Sequence, residues 1–252
     1  MPVVSRIAPQ PSRLCACVAR GHSNGAGAPR RRVLAGCLGG AAVAALAGIG
    51  VGMVAVRPAR AQTTLGPSAA LDRLLQGNAR FVAGKLVSFD EDLAILKQKN
   101  VAGQEPFAAV LSCADSRVPV ELVFDQSIGH VFVARVAGNV CTPEIFASLE
   151  YGAAVLGTSV IVVLGHSGCG AVKATISAKP VPGQISALYA PIRQAVERAG
   201  PDLDATIKAN AQIQADLLRT ASPVVADFVK QGKLKVVAAY YDLGSGRVTV
   251  LE

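Results

Sequence analysis

From residue 107 onward the chain alternates short apolar runs with longer stretches that are apolar only at every third or fourth position. The apolar runs are Phe107–Ser112, Val131–Val136, Val160–Leu164 and Leu234–Tyr240, and they predict strands buried on both faces. Arg247–Leu251 follows the Gly244-Ser245-Gly246 turn and predicts a further strand beside the last of them. Helical spacing marks Leu71–Val82 through Leu71, Leu74, Leu75 and Phe81, and a second helix over Asp90–Lys99. Pro143 starts another that continues to Leu156, with Ile145, Leu149 and Leu156 on one side. Gly168 to Ile176 reads as helical, and more helix follows through Lys230. Strands alternating with helices predict an α/β domain: a mainly parallel β-sheet flanked by helices, joined by right-handed crossovers.

Charge divides the chain in two. The formal net charge is +8, yet residues 1–61 hold Arg6, Arg13, Arg20, Arg30, Arg31, Arg32, Arg57 and Arg60 and no acid. The remainder balances 17 basic against 17 acidic residues, so no global field attracts nucleic acid. Within residues 1–61, Arg31-Arg32 precede an uncharged run from Val33 to Val56, and Ala59-Arg60-Ala61 is an A-x-A cleavage signal. These features predict a twin-arginine leader over residues 1–61, removed near Gln62, and a periplasmic or otherwise exported domain over residues 62–252. Membrane contact is then confined to the leader during export; the alternative is an anchor formed by residues 33–56. Leu34-Ala35-Gly36-Cys37 resembles a lipoprotein box but sits at the start of the apolar run, so it is read as chance.

Cys15, Cys17 and Cys37 belong to the leader, leaving Cys113, Cys141 and Cys169. Three cysteines do not suggest a disulfide framework. Cys113 directly follows one apolar run, in Cys113-Ala114-Asp115-Ser116-Arg117. His166 follows another, in His166-Ser167-Gly168-Cys169-Gly170. Ligands gather at the carboxyl ends of strands in open α/β sheets. Two thiolates and an imidazole there form the ligand set of an open zinc site with a fourth position for water. Asp115 and Arg117 add an acid and a base beside the first thiolate. Cys141 is read as a small buried residue and His130 as a pre-strand residue with no assigned role.

The two motifs, in this order and each after its strand, resemble the signatures of the β-class carbonic anhydrases. Ala137-Gly138-Asn139, Ser148-Leu149-Glu150-Tyr151 and Tyr241-Asp242-Leu243 extend the resemblance over most of residues 62–252. It implies one Zn2+ per chain on Cys113, His166 and Cys169, with Asp115 and Arg117 as the catalytic pair. It implies substrate contacts at Gln104, Phe132, Tyr151 and Gly170. Val110 stands where one subgroup has Trp, which points to the plant-like subgroup and an exchangeable zinc water. Val136 departs from the Arg-Asn-Ala-Gly-Asn form common in the family and removes an amide from near the site. The resemblance also implies a homodimer or higher homo-oligomer.

The resulting expectation is reversible hydration of carbon dioxide to bicarbonate and a proton. Asp115, held ionised by Arg117, would orient the attacking water, and Gln104 would donate to the developing bicarbonate oxygen. The rivals are a carbonyl sulfide or carbon disulfide hydrolase on the same scaffold and a non-catalytic zinc or bicarbonate-binding module.

Overall fold

The computed structural model describes residues 63–88, 101 and 103–251. The predicted leader, the uncharged run 33–56 and the helix predicted over Asp90–Lys99 lie outside the described residues. Among the described residues no helix is long and apolar enough to cross a membrane.

Five strands form one sheet: β1 (Ala108–Ser112), β2 (Val131–Arg135), β3 (Val160–His166), β4 (Lys235–Tyr241) and β5 (Val248–Leu251). Their order is β2-β1-β3-β4-β5; only β5 runs antiparallel to its neighbour. This is the predicted mainly parallel sheet. Every residue of β1 and β3 is buried, as continuous apolar runs require in the middle of a sheet covered on both sides. β2 lies at an edge, with Val131, Phe132 and Val133 half-buried.

Alternation along the strands sorts the core onto two faces. Val110, Val162, Leu164, Val237 and Ala239 pack with α1 (Pro67–Val82) and the short α2 (Val120–Val123). Leu111, Ile161, Val163, Val236 and Ala238 pack on the other face. Their cover is α3 (Pro143–Ala154), α6 (Leu203–Ala221) and α7 (Pro223–Lys230). At the carboxyl end of the sheet, α4 (Gly170–Ser177) and α5 (Tyr189–Ala199) enclose a third cluster that includes Cys113, Cys169, Ile192 and Ile207.

Helix α1 begins at Pro67, four residues earlier than its apolar spacing predicts, because Pro at the first position is pre-set for helix and lacks the N–H that would go unpaired. Gly77 lets this helix touch α2's exit: a Cβ there would lie 1.7 Å from the Phe124 carbonyl oxygen. β3 extends two residues past its predicted end, so His166 is the strand's last residue and pairs with Tyr241.

Candidate metal centre

The strand ends build the site. Cys113 leaves β1 at Ser112, which pairs with Leu164 of β3, two residues before His166. Gly168 then turns the chain with φ of 66°, and Cys169 becomes the N-terminal cap of α4. Ser167 fastens this turn: its N–H donates to Tyr241 O at 2.9 Å and its Oγ accepts from Leu243 N at 2.9 Å. The result places ligand atoms of Cys113, His166 and Cys169 within 4.8 Å of one another, all buried.

This donor set fits a zinc ion. His166 is fully buried; its Nδ1 lies 3.0 Å from Ser167 O, the position of a donor. The proton on Nδ1 leaves the lone pair on Nε2, and Nε2 is buried with no hydrogen-bond partner in the protein. A buried acceptor left unpaired is costly, and a cation between two thiolates supplies what it lacks. The two thiols are strongly coupled. Cys113 is pushed well below the ordinary thiol range, foremost by its hydrogen bond with Cys169, against burial and with help from His166 and the Gly138 N–H. Cys169 is pushed up by that same bond with Cys113 and by burial. A shared cation removes the competition, since both can then ionise.

Asp115 and Arg117 stand beside this cluster. Arg117 Nε donates to Asp115 Oδ1 at 2.9 Å and Nη2 donates to Oδ2 at 2.7 Å. The Arg117 backbone N–H donates to Oδ1 at 2.9 Å. These bonds hold the Asp115 carboxyl well below the usual range, outweighing its partial burial. Asp115 Oδ2 lies 3.9 Å from His166 Nε2, which puts the carboxylate at the edge of the ligand cluster.

Three contributors escape a reading of the motifs alone. Arg135 Nε donates to Cys113 O at 2.9 Å and its Nη2 to Asp115 O at 2.6 Å, so one guanidinium braces the whole first motif. The Gly138 N–H donates to Cys113 Sγ at 3.3 Å. Asn210 donates from Nδ2 to Gly138 O at 2.9 Å. Arg135 and Gly138 lie within the stretch Arg135-Val136-Ala137-Gly138-Asn139 at the end of β2. Asn210 and Gln214 lie four residues apart on α6 and are both 1% exposed, and no motif marks them.

Of the expected substrate residues, Gly170 alone stands beside the Cys113–His166–Cys169 cluster within one chain; Gln104, Phe132 and Tyr151 do not. Gln104 is exposed before β1, and the length of β1, about 16 Å, separates that end from Cys113. Phe132 lies toward the amino end of β2, paired with Ala109. Its ring centroid is 6.3 Å from that of Tyr151, which is 48% exposed on α3. Gly170 opens α4 next to Cys169, and a Cβ on it would meet nothing within 4 Å. Cys141 is half-buried, and burial pushes its thiol up to about 12, which makes it inert.

The profile of the carbonic anhydrase family matches residues 108–248, the stretch from β1 to β5. Carbonic anhydrase 2 of Mycobacterium tuberculosis is 35% identical over 199 residues, covering 73% of this chain and 92% of the relative. The carbonic anhydrase of Mycolicibacterium smegmatis is 36% identical over 193 residues, covering 72% and 92%. Among solved structures, a tetrameric β-carbonic anhydrase of Sordaria macrospora superposes with a TM-score of 0.59 at 25% identity, covering 72% of this chain and 96% of that one. The Coccomyxa β-carbonic anhydrase, solved with acetazolamide, gives 0.57 at 28% identity, covering 72% and 86%. With two motifs at the ends of adjacent parallel strands and this breadth of likeness, the chain belongs to the β-carbonic anhydrase family and is a carbonic anhydrase.

Proposed function

We propose that the chain is a zinc-dependent enzyme for the reversible hydration of carbon dioxide, with Cys113, His166 and Cys169 holding the ion. One observation carries this reading: a buried imidazole Nε2 without a partner, beside two buried thiols and an Arg-clamped carboxylate. When bound, zinc lowers the pKa of a water molecule and so supplies hydroxide near neutral pH.

The chain's own residues do the rest. Ser167 O fixes the His166 tautomer through Nδ1, and Arg135 fixes the backbone that carries Cys113 and Asp115. Asp115, kept ionised by Arg117, is an acceptor at the ligand cluster that can take a water's hydrogen bond and so orient its lone pair. Both Asp115 oxygens accept from Arg117, which favours the open, plant-like arrangement over one in which the carboxylate occupies the metal.

A dimer completes the substrate side of this reading. β2 is an edge strand with half-buried residues, and exposed Tyr151 packs beside it. Two such edges paired antiparallel about a two-fold axis would set the amino end of one β2 beside the carboxyl end of the other. Phe132, Tyr151 and Gln104 of one copy would then approach the metal ligands of its partner. The tetrameric state of the Sordaria relative supports self-association. Twin-arginine export of residues 62–252 in folded form is the accompanying proposal for location, supported by Arg31-Arg32 and the following uncharged run.

Stopped-flow hydration of carbon dioxide by the purified full chain, with zinc measured on the same sample, tests the function. Rapid hydration with about one zinc per chain is the expected result. Zinc-replete protein that turns over carbonyl sulfide or carbon disulfide but not carbon dioxide would overturn it. So would zinc-replete protein that turns over none of the three.

A further inference from the structure

Two amides on α6 hold the loop that lies against Cys113. Asn210 Nδ2 donates to Gly138 O at 2.9 Å, and the Gly138 N–H donates to Cys113 Sγ at 3.3 Å. One turn further along α6, Gln214 Oε1 accepts from Cys141 N at 2.8 Å. Gln214 Nε2 donates to Pro191 O at 3.1 Å and to Asn210 Oδ1 at 3.3 Å. The loop between β2 and α3 is therefore pinned at its middle by one amide and at its end by the next.

Helices α4 and α5 pack closely against Gly138. Gly138 has φ of 78°, and a Cβ on it would lie 2.8 Å from Ile192 Cδ1 and 3.2 Å from the Ala171 Cβ. The N–H that meets Cys113 Sγ and the carbonyl that Asn210 holds belong to the two peptide groups on either side of the Gly138 Cα. The second group is held at both ends, its carbonyl by Asn210 and its N–H, that of Asn139, by Val136 O at 2.9 Å. With α4 and α5 packed against Gly138, this restrains the direction of the preceding N–H toward the sulfur, and a hydrogen bond to a ligand sulfur withdraws charge from it.

We propose that Asn210, oriented by Gln214, is a positioning residue of the metal centre. It fixes the Gly138 N–H on Cys113 Sγ and thereby sets the orientation and donor strength of that thiolate toward a metal. The proposal rests on Cys113 being a metal ligand.

The test uses the full chain loaded with cobalt(II), whose thiolate charge-transfer band reports on the sulfur directly. Asn210→Leu keeps the side-chain bulk and removes the donor; Asn210→Ser, too short to reach Gly138 O, is the milder second variant. Leu218→Ala, fully buried two turns further along the same helix, is the packing control. For both Asn210 variants the expected result is cobalt affinity lower by about 10-fold or more, by chelator competition, with the band at longer wavelength. Leu218→Ala should lower the melting temperature and move neither. Wild-type affinity and an unmoved band in whichever Asn210 variant folds would overturn the proposal, as would the same changes in Leu218→Ala. Absence of any thiolate band in the wild-type chain would instead remove the metal centre itself.

Discussion

The Arg117 guanidinium meets the Asp115 carboxylate edge to edge, Nε on one oxygen at 2.9 Å and Nη2 on the other at 2.7 Å. A bidentate pair of this kind fixes direction as well as charge. Asp115→Asn keeps the shape and removes the base. Carbon dioxide hydration should fall by about 100-fold or more, with zinc content unchanged, in stopped-flow and metal analysis of one preparation. Full activity in that variant would remove Asp115 from the chemistry.

Asp125 makes stability depend on acid. It is 2% exposed, and its carboxylate accepts from Arg80, from Ser88 Oγ and from the Val87 and Ser88 N–H groups. Burial alone would raise its pKa, yet these donors win and lower it from 3.8 to about 2. A depressed folded-state pKa means stability that is complete above the unfolded value and lost as pH falls from about 4 toward about 2. Asp125→Asn should cost about 2 kcal/mol at pH 7 and flatten the acid limb of a denaturant-midpoint series. Asn suits the position because Asp125 has φ of 45°, which Asn tolerates.

Gly77→Ala should undock α1. The added Cβ would sit 1.7 Å from a backbone oxygen, which no side-chain rotation relieves. A loss of about 3 kcal/mol or more is expected in thermal or urea unfolding. A loss of less than about 1 kcal/mol would show that helix and loop part easily.

Tyr151→Arg places a charge on the exposed ring beside edge strand β2. Sedimentation velocity should show the proposed dimer shifted toward monomer relative to the unaltered chain, and specific activity should become concentration-dependent. An unchanged assembly would move the interface off β2.

Replacing Arg31 and Arg32 together with Lys should leave the full-length chain inside the cell, by fractionation and immunoblot. Unimpaired export would refute the twin-arginine assignment.

The sheet and the clustering of Cys113, His166 and Cys169 were legible because both depend on local rules. A run such as Val160–Leu164 allows little but a doubly buried strand, and a cysteine or histidine just past such a run lands at the sheet's carboxyl end. Element ends were less legible: the pairing of His166 with Tyr241 lengthens β3, and that pairing is set by β4, seventy residues away. Asn210 was illegible for the same reason, since its partner Gly138 is distant in sequence and a lone buried Asn carries no spacing signal. Gln104, Phe132 and Tyr151 could be named by family likeness only, because nothing local ties them to Cys113 within one chain.

Cys113 and His166 stand at the carboxyl ends of β1 and β3, which are neighbours about 4.8 Å apart and locked in register with Ser112 opposite Leu164. Sliding one strand past the other by a single residue would shift Cys113 about 3.3 Å along the sheet and flip alternate side chains to the wrong face. Three donors then no longer converge on one ion. A metal held by Cys113, His166 and Cys169 would therefore act as a proofreading step, stabilising only those chains whose central strands have paired correctly.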